Sequence, residues 1–325
     1  MGSEPSRSPI DLDASTATLF AGSGSRPLAA AVERETGLCF AACTTERFPD
    51  GEVFVRLDEP VRGREVILLA ATSPPVNDHL VELLAITDAC RRADAARIVA
   101  IMPYFGYARS DRRDGRRTPI MASLVAELVE RAGVDHVITV DVHTPAVEGF
   151  FRIPVDNLTA VPLLVAALRT RISADAVVVA PDLGAIRLAN RYATKLDLPV
   201  AVCNKRRIGG SEVIIGRVTG DVAGRHCIII DDMISTGGTI VESVRALDEA
   251  GALPHALVVA THAVLATDAL EKIAAAGVRE LVVTDSIEPR ADVVARLRPD
   301  VVSIAPLIAT AIRRLLEGGS LRELA

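Results

Sequence analysis

The residues with the most chemical promise lie together in HCIIIDDMISTGGT, residues 226–239. Two adjacent carboxylates, Asp231 and Asp232, follow the apolar, β-branched run 227–230. A small-residue turn comes next: Ser235, Thr236, Gly237, Gly238 and Thr239. Backbone N–H groups in such a turn, at the start of a helix, can cradle a phosphate. The paired acids can accept hydrogen bonds from vicinal hydroxyls, directly or through a metal. A phosphate and a diol together describe a phosphorylated sugar. The turn has no GK[ST] and no lysine, so it is not a Walker A loop. Read alone, a GG turn is an ordinary strand-turn-helix junction with Thr239 as cap; the order of apolar strand, acid pair and S-T-G-G-T favours the sugar-phosphate reading.

Two further groups could handle anions or cations. Five arginines crowd into residues 109–117, after Tyr104 and Tyr107, directly beyond the apolar run 97–102. Arginine forks suit polyphosphate oxygens; RNA is the weaker alternative, because the chain's net charge is −6. Asp141 and His143 stand two apart on a segment expected to be extended, which places both on one face. Such a pair can hold a divalent cation.

The elements that must position these groups read as strands alternating with helices. Apolar runs at 16–21, 38–42, 65–71, 97–102, 132–141, 176–180, 199–203, 227–230, 256–261, 280–284 and 301–304 predict strands, with helical periodicity between them. PDG at 49–51 is turn chemistry. Residues 150–157 read as a turn leading out of a first half, and 204–211 as a basic, mobile loop. The decapeptides AGVDHVITVD (132–141) and AGVRELVVTD (276–285) match without gaps, a faint internal repeat. The expectation is an α/β chain of two similar domains, each a parallel sheet flanked by helices. A polar tail at 1–15, expected to be disordered, precedes domains at 16–158 and 159–325.

Composition agrees with buried parallel sheets: half the residues are apolar, aromatics are 3% and Trp is absent. No apolar run reaches the roughly 18 residues of a membrane span. The five cysteines form no CxxC pair and read as reduced core residues of a cytoplasmic protein. The acidic total excludes a general nucleic-acid coat, and no membrane or nucleic-acid partner is expected.

FPDGE (48–52), PYFGYAR-S-DR (103–112), VDVH (140–143), GFF-IPVDN (149–157), APD-G (180–184), NKRR (204–207) and DDMISTGGT (231–239) occur in that order. The chain after its tail thereby resembles the ribose-phosphate diphosphokinase (PRPP synthetase) family, whose domains are phosphoribosyltransferase type I-like. The resemblance implies transfer of the diphosphoryl group of ATP to O1 of ribose 5-phosphate, giving PRPP and AMP for nucleotide biosynthesis. It implies an ATP side in the first domain, with Phe48, Asp50, Gly51, Glu52, Arg109, Ser110, Asp111 and His143. It implies ribose 5-phosphate binding by Asp231, Asp232, Ser235, Thr236, Gly237, Gly238 and Thr239 in the second. Mg²⁺ would be held by His143 and Asp182, with Asp141 nearby. Lys205 and Arg207 would close over the transferring group. A homo-oligomer built from dimers, with a hexamer as one form, is expected, the hairpin at 48–52 reaching into a neighbouring subunit. The alternatives are a catalytically silent synthetase-associated regulatory subunit, which would lack turnover, and a phosphoribosyltransferase that uses PRPP, which would need a base-binding hood. Three positions depart from many family members, which carry an acid at Ser235, Gln at Ser110 and Asp at Arg152; no metal site is assigned at Arg152.

Overall fold

A computed structural model of the chain describes residues 17–325 apart from 114, 116, 208–212 and 267, with the main chain alone described over 205–207 and 213–216. The tail expected at 1–15 lies outside the described residues. By internal contacts the chain divides into Met1–Leu158 with Ala305–Ala325, and Thr159–Ile304.

The first unit is built on five strands, buried along most of their length except for the half-buried edge strand β7: β1 (Ala17–Ala21), β4 (Glu65–Leu69), β5 (Arg97–Met102), β6 (His136–Val140) and β7 (Val155–Leu158). Every neighbouring pair is parallel, in the order β1-β4-β5-β6-β7. A separate antiparallel hairpin, β2 (Cys43–Arg47) and β3 (Val53–Leu57), leaves the sheet. Helices α1 (Arg26–Thr36), α2 (Val76–Arg92) and α3 (Met121–Ala132) make the crossovers. Their buried faces are apolar: Leu83, Ile86 and Cys90 of α2 and Val125, Ala126 and Val129 of α3 pack with Ile98, Ala100 and Met102. Each fully buried aliphatic side chain contributes about 1.5–3 kcal/mol of transfer free energy.

Polar and charged residues at the strands' amino ends form a row across this sheet. Arg97 of β5 donates to Glu65 of β4 at 2.8 Å and lies 3.1 Å from His136 Nδ1 of β6. His136 Nε2 in turn lies 2.7 Å from Asp156 of β7.

The second unit is a seven-stranded sheet in the order β10-β9-β8-β11-β12-β13-β14. Its strands are β8 (Val177–Ala180), β9 (Val200–Arg207), β10 (Val213–Thr219), β11 (Cys227–Ile234), β12 (Leu257–Ala263), β13 (Glu280–Thr284) and β14 (Asp300–Val302). Only the β9–β10 pair is antiparallel. Helices α4 (Val161–Leu168), α5 (Ile186–Leu196), α6 (Gly238–Glu249), α7 (Ala269–Ala275) and α8 (Ala291–Leu297) flank it. The last helix, α9 (Ala305–Leu316), packs on α1 in the first unit.

Several expectations need correction. By internal contacts α9, whose Leu307, Ile308, Ala311 and Ile312 are buried, groups with the first unit and not with the 159–304 part of the domain expected at 159–325. Residues 38–42 touch β1 through a single bridge, Leu19 to Phe40, while the ladder forms at 43–47 because β3 offers it a full antiparallel partner. The segment at 150–157 is more than a turn, since 155–158 is the edge strand β7. Residues 204–207 are strand, not loop, because β10 pairs with them; the rest of the expected loop, 208–211, lies outside the described residues. All five cysteines are free, but Cys39 is exposed and Cys43 only half-buried, so three of the five are core. Burial pushes the Cys90 and Cys227 thiols up to about 12.

Candidate functional site

The second unit has a reversal of strand order at β8 and β11. From β8 the chain moves outward to β9; from β11 it moves the other way to β12. Ligands of open α/β sheets bind outside the carboxyl ends of strands at such a reversal. Here that place is occupied by Asp182, in the turn after β8, and by Asp231 and Asp232 of β11.

The acid pair stands inside β11 rather than beyond it. β8 pairs with β11 only as far as Ile229, whereas β12 keeps pairing to Ile234. The last residues of β11 therefore have a neighbour on one side only. Asp231 Oδ1 accepts the Asp232 N–H at 3.0 Å. Burial raises the Asp231 carboxyl well above the usual carboxylate range, and the negative charges of Asp232 and then Asp182 raise it further. A desolvated carboxylate beside two others calls for donors or a cation. Asp182 Oδ1 accepts the N–H groups of Gly184 at 2.9 Å and Ala185 at 3.2 Å, which ties the turn to the start of α5.

The turn after β11 leads straight into α6. Gly237 is the N-cap, at φ 72°, with no side chain to cap the helix; Thr239, read as a possible cap, is two residues further in, the second residue of the helix. A Cβ at Gly237 would lie 3.0 Å from Ile273 Cγ1 of α7, so the left-handed conformation and the close approach both favour glycine there. A Cβ at Gly238 would meet nothing nearer than Thr236 Oγ1 at 3.8 Å. The second glycine is thus not demanded by the protein's own packing. Ser235, Gly238 and Thr239 are partly exposed and Thr236 exposed, so the turn faces solvent.

In the first unit the neighbouring strands β5 and β6 bring the arginine-rich segment and the Asp141/His143 pair to one sheet edge. Asp141 is buried at φ 40°, so the backbone turns immediately after β6. The extended geometry expected for Asp141 and His143 is absent, and the shared-face inference from two-residue spacing fails with it. Arg109 and His143 are exposed. Ser110 is engaged structurally: its Oγ accepts the Met121 N–H at 3.3 Å and its carbonyl accepts the Ala122 N–H at 3.1 Å, at the start of α3. Asp111 pairs with Arg112 at 3.4 Å.

Phe48, Asp50, Gly51 and Glu52 form the tip of the β2–β3 hairpin. Phe48 N–H donates to the Glu52 carbonyl at 2.9 Å, and Glu52 N–H to Asp50 Oδ1 at 3.1 Å. Phe48 is 48% exposed and meets Phe54 with the rings tilted, at a centroid separation of 6.0 Å. The hairpin is tied to α2 by Arg47 and Asp78 at 3.0 Å. Lys205 and Arg207 occupy positions of β9 opposite Ile215 and Val213.

Among the described residues no group of three or more His, Cys, Asp or Glu is close enough to hold a metal ion. Asp141 and His143 belong to the first unit and Asp182 to the second. The carboxylates at the β8–β11 reversal nevertheless fit Mg²⁺, which takes one or two protein carboxylates and completes its shell with water and substrate phosphates. The crowding of negative charge on Asp231 is the observation that supports this fit.

The chain shares the fold of a solved phosphoribosylpyrophosphate synthetase from Mycobacterium smegmatis: the TM-score is 0.86 at 41% identity, over 94% of this chain and 100% of that one. Residues 17–133 match the N-terminal domain of ribose phosphate pyrophosphokinase, and residues 214–325 the phosphoribosyl synthetase-associated domain. Ribose-phosphate pyrophosphokinase from Maricaulis maris is 43% identical, over 94% of this chain and 99% of its own length. That from Bacillus caldolyticus is 42% identical, over 92% and 94%. The chain belongs to the ribose-phosphate pyrophosphokinase family of enzymes.

Proposed function

We propose that this chain transfers the diphosphoryl group of ATP to O1 of ribose 5-phosphate, releasing AMP. The observation that carries the reading is the β8–β11 reversal, where the desolvated Asp231, beside Asp232, adjoins a helix start with no side-chain cap. The N–H groups of residues 235–239 hold the 5-phosphate, with Gly238 leaving room for its oxygens. Asp231 and Asp232 accept hydrogen bonds from the ribose hydroxyls, which relieves their mutual repulsion. In the first unit Arg109, Ser110, Asp111 and His143 bind ATP. Phe48, Asp50, Gly51 and Glu52 line the base and ribose of ATP bound by a neighbouring subunit, in a homo-oligomer built from dimers. The exposed Phe48 supports that role.

The reaction breaks the bond between the α,β-bridging oxygen and the β-phosphorus, and forms a bond from O1 to that phosphorus. The bridging oxygen leaves on AMP, and the proton of O1 passes to solvent. No protein nucleophile takes part. The chain's contribution is alignment of O1 and positive charge where the transition state spreads negative charge. Lys205 and Arg207 supply that charge. Asp141 and His143 in the first unit, and Asp182 beside the acid pair in the second, are the residues that would hold Mg²⁺, which would supply charge to neutralise phosphate oxygens. Free cysteines and the absence of a helix long and apolar enough to cross a membrane among the described residues accord with a cytoplasmic setting.

Lys205→Ala tests the assignment of charge. The expected result is a kcat lowered on the order of 10²–10³-fold, the usual loss for a transition-state charge contact. The dissociation constant for ribose 5-phosphate should stay within about threefold. An unchanged kcat would remove Lys205 from the reaction.

A further inference from the structure

The phosphate turn is braced by main chain from beyond the end of β12. Leu265 N–H donates to the Ile234 carbonyl at 2.9 Å, and Ala266 N–H to the Ser235 carbonyl at 2.9 Å. These two bonds continue the β11–β12 ladder past Ala263, so the position of residues 265 and 266 sets the carbonyls that open the turn. Leu265 itself is strained. Its side chain is fully buried, and its φ is 41°, a backbone region unfavourable for leucine. Such a conformation persists only where surrounding contacts hold it.

One of those contacts comes from a distant side chain. Arg290 Nη1 donates to the Leu265 carbonyl at 2.7 Å. The guanidinium is fixed in turn by a fork to Asp292: Nε to Oδ1 at 3.1 Å and Nη2 to Oδ2 at 3.1 Å. Arg290 is the N-cap residue of α8, so the fork anchors it at the head of that helix. Ile273 of α7, the helix that follows this segment, also approaches Gly237 closely. The turn is thus braced by the Arg290-clamped segment and by α7.

We propose that Arg290 is a positioning residue for the phosphate turn: by holding the Leu265 carbonyl it sets the direction in which the amides of residues 235–238 face. The inference rests on the reading that this turn binds the 5-phosphate of ribose 5-phosphate. Arg290 touches no reacting atom, and its effect passes through Leu265 and Ala266 to Ile234 and Ser235.

The test combines kinetics with amide exchange on the full chain. Arg290→Ala should raise the KM for ribose 5-phosphate about tenfold, the scale of one lost charge-assisted hydrogen bond. The KM for ATP should stay within about twofold, because ATP is not held by this turn. Arg290→Lys, which keeps a cationic donor, should restore most of the loss. Hydrogen exchange should quicken at Leu265 and Ala266 in the alanine variant. Asp292→Asn, which frees the fork but keeps the donor, gives a milder variant should Arg290→Ala not fold; it should raise the ribose 5-phosphate KM about threefold. Wild-type kinetics for ribose 5-phosphate in these variants would overturn the proposal, as would an equal rise in both KM values. Failure of the wild-type chain to bind ribose 5-phosphate in calorimetry would instead overturn the underlying reading, and this inference with it.

Discussion

Replacing each glycine of the phosphate turn in turn separates what the fold needs from what the ligand needs. Gly237 sits at φ 72°, and an alanine there costs about 1–2 kcal/mol from the left-handed backbone alone. Its Cβ would also press on Ile273 Cγ1 at 3.0 Å and Cδ1 at 3.2 Å. A flexible isoleucine can yield a few tenths of an ångström, so the contact adds only a fraction of that cost. The expected loss for Gly237→Ala is therefore about 1–3 kcal/mol, read by urea unfolding of the full chain. Gly238 differs: it is the first residue of α6, at an ordinary φ, with 3.8 Å of clearance to Thr236 Oγ1. Alanine at a helical position is favoured over glycine by about 0.5–1 kcal/mol, so Gly238→Ala should leave stability unchanged or improve it. On the proposed reading its new methyl group would stand where a phosphate oxygen approaches, so its ribose 5-phosphate affinity, measured by calorimetry, should fall tenfold or more, about 1.4 kcal/mol. Equal stability losses for the two variants would refute the packing argument. Unimpaired ribose 5-phosphate binding by Gly238→Ala would refute the cradle.

Other consequences follow from the acids. Asp231 has a folded-state pKa raised by burial and by Asp232 and Asp182, so the folded state holds its proton more tightly than the unfolded state. The stability it lends is complete below the ordinary carboxylate range, roughly pH 4, and is lost as pH rises through the raised value. Asp231→Asn should therefore match the wild type in acid and exceed it towards neutral pH in urea unfolding, while activity falls; a wild type that gains on the variant as pH rises contradicts the electrostatic reading. Asp182 both caps a turn and adds charge. Asp182→Ala should cost about 0.5–2 kcal/mol of stability through the lost acceptor, whereas Asp182→Asn keeps the acceptor and should cost little. Both should lower the Asp231 pKa, followed by carboxyl carbon NMR.

Much of the site could be read from residue types. The run Ile228, Ile229 and Ile230 is β-branched and wholly apolar, and it forms the buried strand its composition implies. The glycine turn and α6 follow in the expected order. What the types could not reveal was pairing. The acid pair lies within β11 because β12 continues alongside it after β8 has ended, a fact of sheet order and not of the residues themselves. Basic composition made 204–207 look like loop, yet β10 pairs with it. The edge strand β7 has four residues, VDNL, with no alternation long enough to mark it. The helical pattern of α9 was visible, but an amphipathic face does not name the surface it will cover. Asp141 was expected to lie extended and instead turns at positive φ, a region aspartate tolerates better than most residues and that an apolar run does not announce. Arg290 gave no signal at all: an arginine after a proline is unremarkable until its guanidinium is seen on the Leu265 carbonyl.

The central claim is that the chain moves two phosphoryl groups as one. It is tested most directly by supplying Mg-ATP labelled at the α-phosphorus together with ribose 5-phosphate, and separating the labelled products. The account predicts that the label appears in AMP, in step with formation of 5-phosphoribosyl diphosphate and only when ribose 5-phosphate is present. Label accumulating in ADP, or AMP forming without ribose 5-phosphate, would contradict it.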